Sequence, residues 1–200
     1  MFLSEGFHRQ RKLETLVENK TSFESDFAAM HIFETHQAAE KILLRFDQPV
    51  LASMINGKKI MHLKDSDSFD FYPGESLIMP PNELMCIDFP EARNSDPTRC
   101  LAMTIDENEI GSIVQQMNES MTRSDADEWG LIDDNFHFTN DQGIHQIIER
   151  LLFLFTENHP SREYFVNNMI KELIVRILQT NSRELHLNAN ADQKNNNRIS

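Results

Sequence analysis

The sequence predicts an α+β domain: a small antiparallel β-barrel or jelly roll, followed by three α-helices packed as a unit. From Ala29 to about Ile105 the apolar residues recur with a period close to two, and turn-forming clusters interrupt them at short intervals, as in an all-β sandwich or barrel. At Asp106 the period lengthens to that of a helix and stays there through most of the remaining chain.

Residues 1–28 are polar and mixed in charge; Leu13, Leu16 and Val17 are spaced for a short amphipathic helix at best, so a loosely attached arm is expected. The barrel is expected over 29–105, with breaks at Asp47-Gln-Pro49, Asn56-Gly57, Lys64 to Ser68, Pro73-Gly74, Pro80-Pro-Asn82 and Pro90 to Pro97. Phe69 and Phe71 alternate with Asp70, and Met85, Ile87 and Phe89 alternate with Cys86 and Asp88, so each run has one wet and one dry face. Asn56-Gly57 tolerates positive φ and has the chemistry of a tight hairpin, but a bulge in one long bent strand from Val50 to Leu63 fits equally well.

A helical region is expected over 106–182. Asp106-Glu-Asn-Glu109 has the form of a capping box, and Ile110, Ile113, Val114 and Met117 follow at helical spacing, giving a first helix over about 106–119. After an acidic, irregular stretch through Trp129, a second helix carries Ile144 to Phe155 and ends near Asn158-His-Pro160. A third starts at Ser161 and presents Phe165, Met169, Leu173 and Ile177 within a stripe of two apolar positions per turn. That is more than one helix needs to cover a barrel edge, so these four are the expected dimer interface. Residues 183–200 are rich in asparagine and predict a polar linker that leads onward.

Nineteen Lys and Arg against 32 Asp and Glu give a formal net charge of −13, with no basic cluster to meet nucleic acid or an anionic membrane. Cys86 and Cys100 are the only cysteines and form no CxxC pair. No apolar run approaches the ~18 residues that a bilayer requires. A cytoplasmic chain with two free thiols and no membrane partner is the expectation.

A divalent metal wants at least three convergent protein ligands. From Gly57 to Phe89 the only histidine is His62, and Met85, a weak ligand and a good gap-filler, stands where a metal-binding barrel hairpin would place its last histidine. Neither a metal nor another cofactor is therefore expected. His31-Ile-Phe-Glu-Thr-His36 places Glu34 and His36 on one strand face and His31 on the other, which is half a site and also fits an exposed edge. His137, His145 and His159 lack metal-ligand spacing, and the chain holds no GxSxG, GxGxxG or phosphate-binding loop. Seven of the ten methionines fall in strands or adjoining apolar faces, which suits a plastic core or a pocket that adapts to an apolar ligand.

The runs Gln48 to His62, Phe69-Asp-Phe-Tyr-Pro-Gly-Glu-Ser76, Met85 to Ala92 and Asp96 to Met103 resemble the N-terminal regulatory domain of AraC-type transcriptional regulators, over about residues 30–180. The resemblance implies a cupin-like, metal-free barrel that senses a small-molecule effector, helices that form a homodimer, and a linker to two helix-turn-helix motifs that bind DNA. The sequence stops where that DNA-binding half would start, so DNA is expected as a partner only through a C-terminal domain outside this chain. By strand alternation the ligand pocket is expected at Met54, His62, Phe71, Met85 and Ile87, with His62 as the polar contact. The alternatives are a metal-dependent cupin enzyme, an isomerase or dioxygenase, and a stand-alone dimeric binding protein.

Overall fold

The structure is a computed structural model that describes residues 15–64, 66–121, 128–132 and 134–196, those after Arg183 by backbone alone. Leu13 and most of the expected arm lie outside the described residues, as does the last part of the expected linker, 197–200.

The described strands are β1 (Asn19–Glu24), β2 (Ala28–Thr35), β3 (Ala39–Arg45), β4 (Val50–Asn56), β5 (Lys59–His62), β6 (Phe69–Phe71), β7 (Glu75–Met79), β8 (Leu84–Phe89), β9 (Thr98–Ile105) and β10 (Phe136–Thr139). They form two antiparallel sheets, a larger one ordered β1-β2-β9-β4-β7-β10 and a smaller one ordered β3-β8-β5-β6. The helices are α1 (Glu107–Ser120), α2 (Gln142–Thr156) and α3 (Arg162–Asn196).

Five of the six breaks seen in the sequence are corners at which the chain passes from one sheet to the other; the sixth, Lys64 to Ser68, joins β5 and β6 within the smaller sheet. β4 pairs with β7 and β9, whereas β5 pairs with β6 and β8. Asn56-Gly57 is therefore the bend of a continuous strand and not a hairpin. Gly57 sits at φ +81, and a Cβ there would lie 2.7 Å from Thr98 Oγ1, so only glycine fits the crossing. Pro73-Gly74 and Pro80-Pro81-Asn82 turn the chain between sheets in the same way, with Gly74 and Asn82 at positive φ.

The central strands of the larger sheet, β2, β9, β4 and β7, are largely buried on both faces. One face, with the inner face of the smaller sheet, encloses the barrel interior: Phe33, Met54, Met61, Phe71, Met79, Met85, Ile87 and Phe89. The other face, with Met30, Ile32, Leu51 and Leu101, packs beneath the helices. The Asp106 carboxylate accepts hydrogen bonds from the Asn108 and Glu109 backbone N–H groups and caps α1; Asp141 caps α2 through the N–H of Ile144.

Three expectations need correction. Asn19–Glu24 is an edge strand paired along its length with β2, not part of an arm; its alternation was masked because Phe23 is its one large apolar residue. Phe136–Thr139 is a strand added to β7 after the first helix, within the region 106–182 expected to be helical. Helix α3 continues to Asn196 through the expected linker, where no glycine or proline interrupts it.

Candidate functional site

The barrel interior gathers four of the five residues expected in a pocket. Met54, Phe71, Met85 and Ile87 are all buried there. His62 is not among them. In β5 the buried residues are Lys59 and Met61, and Ile60 and His62 take the opposite face. Residues directly opposite on antiparallel strands share a face, and His62 lies opposite Cys86, on the wet side of β8. Its side chain is 41% exposed, and its Nε2 lies 2.8 Å from Asp88 Oδ2. The Asp88 carboxyl is held below its ordinary pKa, first by the Lys41 backbone N–H, then by His62. The polar contact expected from His62 is thus on the outside of the barrel, directed away from Met85.

The polar residue that does enter is Lys59. Its ammonium lies 3.4 Å from Glu18 Oε1 and 5.1 Å from the centre of the Phe89 ring, with the Cys100 thiol beside it. Burial opposes the Lys59 charge, but Cys100 and the Glu18 carboxylate outweigh it, and the amine stays protonated above its ordinary range. Burial pushes the Cys100 thiol up. Glu18 holds positive φ (49°), and its Oε2 is buried with no hydrogen-bond partner among the described residues. The sequence signal for Lys59 was its even spacing from Met61, hidden by the solvated look of Gly57-Lys58-Lys59.

The interior is almost filled: the space left among Met61, Met85, Phe71 and Lys59 is ≈ 10 Å³, at the limit for one water. An open concavity of ≈ 580 Å³ lies at the barrel mouth, among residues that include Lys20, His31, Arg45 and Asp47. Phe33, Leu44 and Phe46 line both spaces and separate them. The His31 ring stacks on Phe46 at 6.0 Å, and Phe33 meets Phe46 edge-on at 6.2 Å. His31 Nδ1 and Ser22 Oγ are 2.9 Å apart. Burial, then the Lys20 charge, lowers the His31 pKa, so the ring is neutral at neutral pH.

His137 and Glu34 are engaged elsewhere. His137 stacks on Phe69 at 4.5 Å and lies 3.3 Å from Glu75 Oε2, and Glu34 accepts a hydrogen bond from Arg99 Nε. Among the described residues no group of three or more His, Cys, Asp or Glu side chains is placed to hold a metal ion, and no helix is long and apolar enough to cross a membrane.

Of the four residues expected to face a second copy, Leu173 (0% exposed) and Ile177 are buried in the domain's own core. The surplus apolar stripe of α3 is taken up by α1, α2 and the sheet, so a substitution there acts on folding first. Phe165 and Met169 retain exposure, next to Tyr164, which is 69% exposed.

The AraC-type transcriptional regulator N-terminus family matches residues 26–185. Among solved structures, ToxT from Vibrio cholerae aligns at 8% identity over 78% of this chain and 57% of that chain, with a TM-score of 0.56. An apo ToxT variant aligns at 8% identity over 79% and 58%, TM-score 0.57. ToxT bound to (E)-4-(8-methylnaphthalen-1-yl)but-3-enoic acid aligns at 11% identity over 78% and 58%, TM-score 0.55. At these identities the likeness is one of fold. The chain spans less than two thirds of the length of the ToxT chains it matches. The search of curated sequences yields no match.

Proposed function

The chain belongs to the family of AraC-type transcriptional regulator N-termini, and on that premise we propose that it is the effector-sensing and dimerisation domain of a cytoplasmic transcription regulator. The observation that carries the reading is the buried Lys59 ammonium in a methionine-lined barrel that meets an open mouth across Phe33, Leu44 and Phe46. Methionine is unbranched and adaptable, so these walls part at modest cost. An effector with an apolar body and an acceptor oxygen would displace Phe46, enter between the methionines and share Lys59 with Glu18. The acid bound to ToxT has that chemistry. Differential affinity for the open and filled barrels then biases two arrangements of the domain, and α3 passes that bias on. DNA is contacted by a further domain and not by this acidic one.

The domain binds its effector and does not transform it. The two hairpin positions that would supply a metal site diverge, His62 outward and Met85 inward. Stoichiometric iron, manganese or zinc in protein purified without chelator would overturn that statement. Association of two copies is assigned to the exposed end of α3 around Tyr164 and Phe165; Phe165→Glu is expected to give folded monomer by light scattering.

The sensing reading is tested with aryl-alkenoic acids and their alcohols, followed by thermal midpoint and by the methyl resonances of Met61 and Met85. The acids are expected to raise the midpoint and shift both methyls. If no compound in such a panel moves either methyl, the barrel is not the sensor.

A further inference from the structure

Between the helix-facing side of the larger sheet and the helices lies a second, half-open space of ≈ 130 Å³, whose lining shares no residue with the barrel mouth. Its floor is the cross-strand pair Leu51 and Ile78, and its walls are Ile110 of α1 with Ile174 and Ile177 of α3. Protein interiors leave few voids larger than a water molecule. An apolar cavity of about 150 Å³ accepts benzene, and this half-open space is of similar size and so matches a single ring. Among the described residues the walls offer a ligand no hydrogen-bond donor side chain, and the one charged group along the lining is the Glu107 carboxylate at the start of α1. A carboxylate ligand would lose its hydration there and face a like charge.

We propose that this cavity is a second ligand site, for an uncharged single-ring aromatic compound, and that its occupancy acts on α3. The ring would fill the gap beneath Ile174 and Ile177 and add contacts to the helix that runs from Arg162 to Asn196. The barrel-mouth residues His31 and Phe46 do not line it. The two sites therefore differ in charge preference: the barrel interior presents an ammonium, the inter-layer cavity a carboxylate.

Toluene and benzoate are the matched probes, titrated into the whole chain labelled at Ile, Leu and Met methyls. Toluene is expected to give saturable shifts at Ile78, Ile174 and Ile177 and to leave Met61 and Met85 in place, and benzoate is expected to leave all of the first three unmoved. Leu131, half-exposed where it lines the cavity, gives a variant that spares the core: Leu131→Trp should fold normally and lose the toluene response. The proposal is overturned by any of three results: no saturable shift with toluene up to its solubility, an equal response to benzoate, or toluene shifts centred on Met61 and Met85. The last would assign the ring to the barrel and leave the barrel's own role intact. Persistence of the toluene response in Leu131→Trp also overturns it.

Discussion

The two faces of the larger sheet build their cores from different side chains. Inside the barrel, Met54, Met61, Met79 and Met85 lie among Phe33, Phe71 and Phe89, and the space is filled to within ≈ 10 Å³. Beneath the helices, Met30, Met103 and Met117 are outnumbered by isoleucine and leucine, among them Ile144, Ile147, Ile148, Ile170, Leu173, Ile174 and Ile177, and ≈ 130 Å³ remains open nearby. Branched side chains are held to few rotamers and cannot flow into a gap, whereas methionine can. The soft core has closed on itself, and the stiff core has kept its hole. On the two proposals above, one site would be made by displacement and the other is already formed.

The largest expected effect breaks the stiff side. Leu173→Glu would bury an unpaired charge in the helix-side core, and loss of the cooperative melt is expected in place of a folded monomer. Leu173→Ala, leaving a cavity between elements that cannot collapse, is expected to cost about 2–5 kcal/mol by urea denaturation. The matched truncation in the soft core, Met85→Ala, is expected to fall at the lower end of that range, about 2 kcal/mol, because the neighbouring methionines can relax into the gap. Equal costs would erase the distinction between the two cores.

Next in size is the ion pair inside the barrel. Lys59→Met leaves Glu18 buried without its cation and is expected to cost about 3 kcal/mol or more, much of it recovered in the double variant Lys59→Met with Glu18→Gln. If the single variant is as stable as the parent, the ammonium is not held in the interior and the effector anchor is lost with it.

A smaller effect distinguishes the mouth. His31 has a pKa below its ordinary value of 6.5, chiefly through burial. Above that value the ring is neutral in both folded and unfolded chains. As pH falls through 6.5 the unfolded chain takes up the proton first, so stability declines until the folded ring also titrates. A decline in melting midpoint below pH 6.5 is expected, and His31→Phe should flatten it. An unchanged slope in that variant would assign the decline to other groups.

The order of barrel and helices was legible in the sequence because alternation and helical spacing each extend over many residues. The Asp106 cap and the corners at Pro73-Gly74 and Pro80-Pro81-Asn82 were legible too, since their backbone demands select few residue types. What failed depended on register or on partners. A single step in β5 exchanges Met61 for His62, and four residues of mixed polarity do not say which is inside. The α3 stripe shows how much apolar surface must be covered and not by what, so Leu173 and Ile177 were assigned outward when α1 and α2 already cover them.

The smallest expected effect follows from that register. His62 is joined to Asp88 across the outer face of the smaller sheet, and exposed pairs of this kind are worth about 0–1 kcal/mol. His62→Ala leaves Asp88 the Lys41 backbone N–H, its stronger partner, so both stability and the depressed Asp88 pKa should largely persist. The same variant should leave the effector-induced shift in midpoint untouched, whereas Phe46→Ala, which removes the aromatic divider between mouth and interior, should speed effector entry in stopped-flow measurements. An effector response that vanishes in His62→Ala and survives Phe46→Ala would reverse the facing of β5 and place the sensing surface on the outside of the barrel.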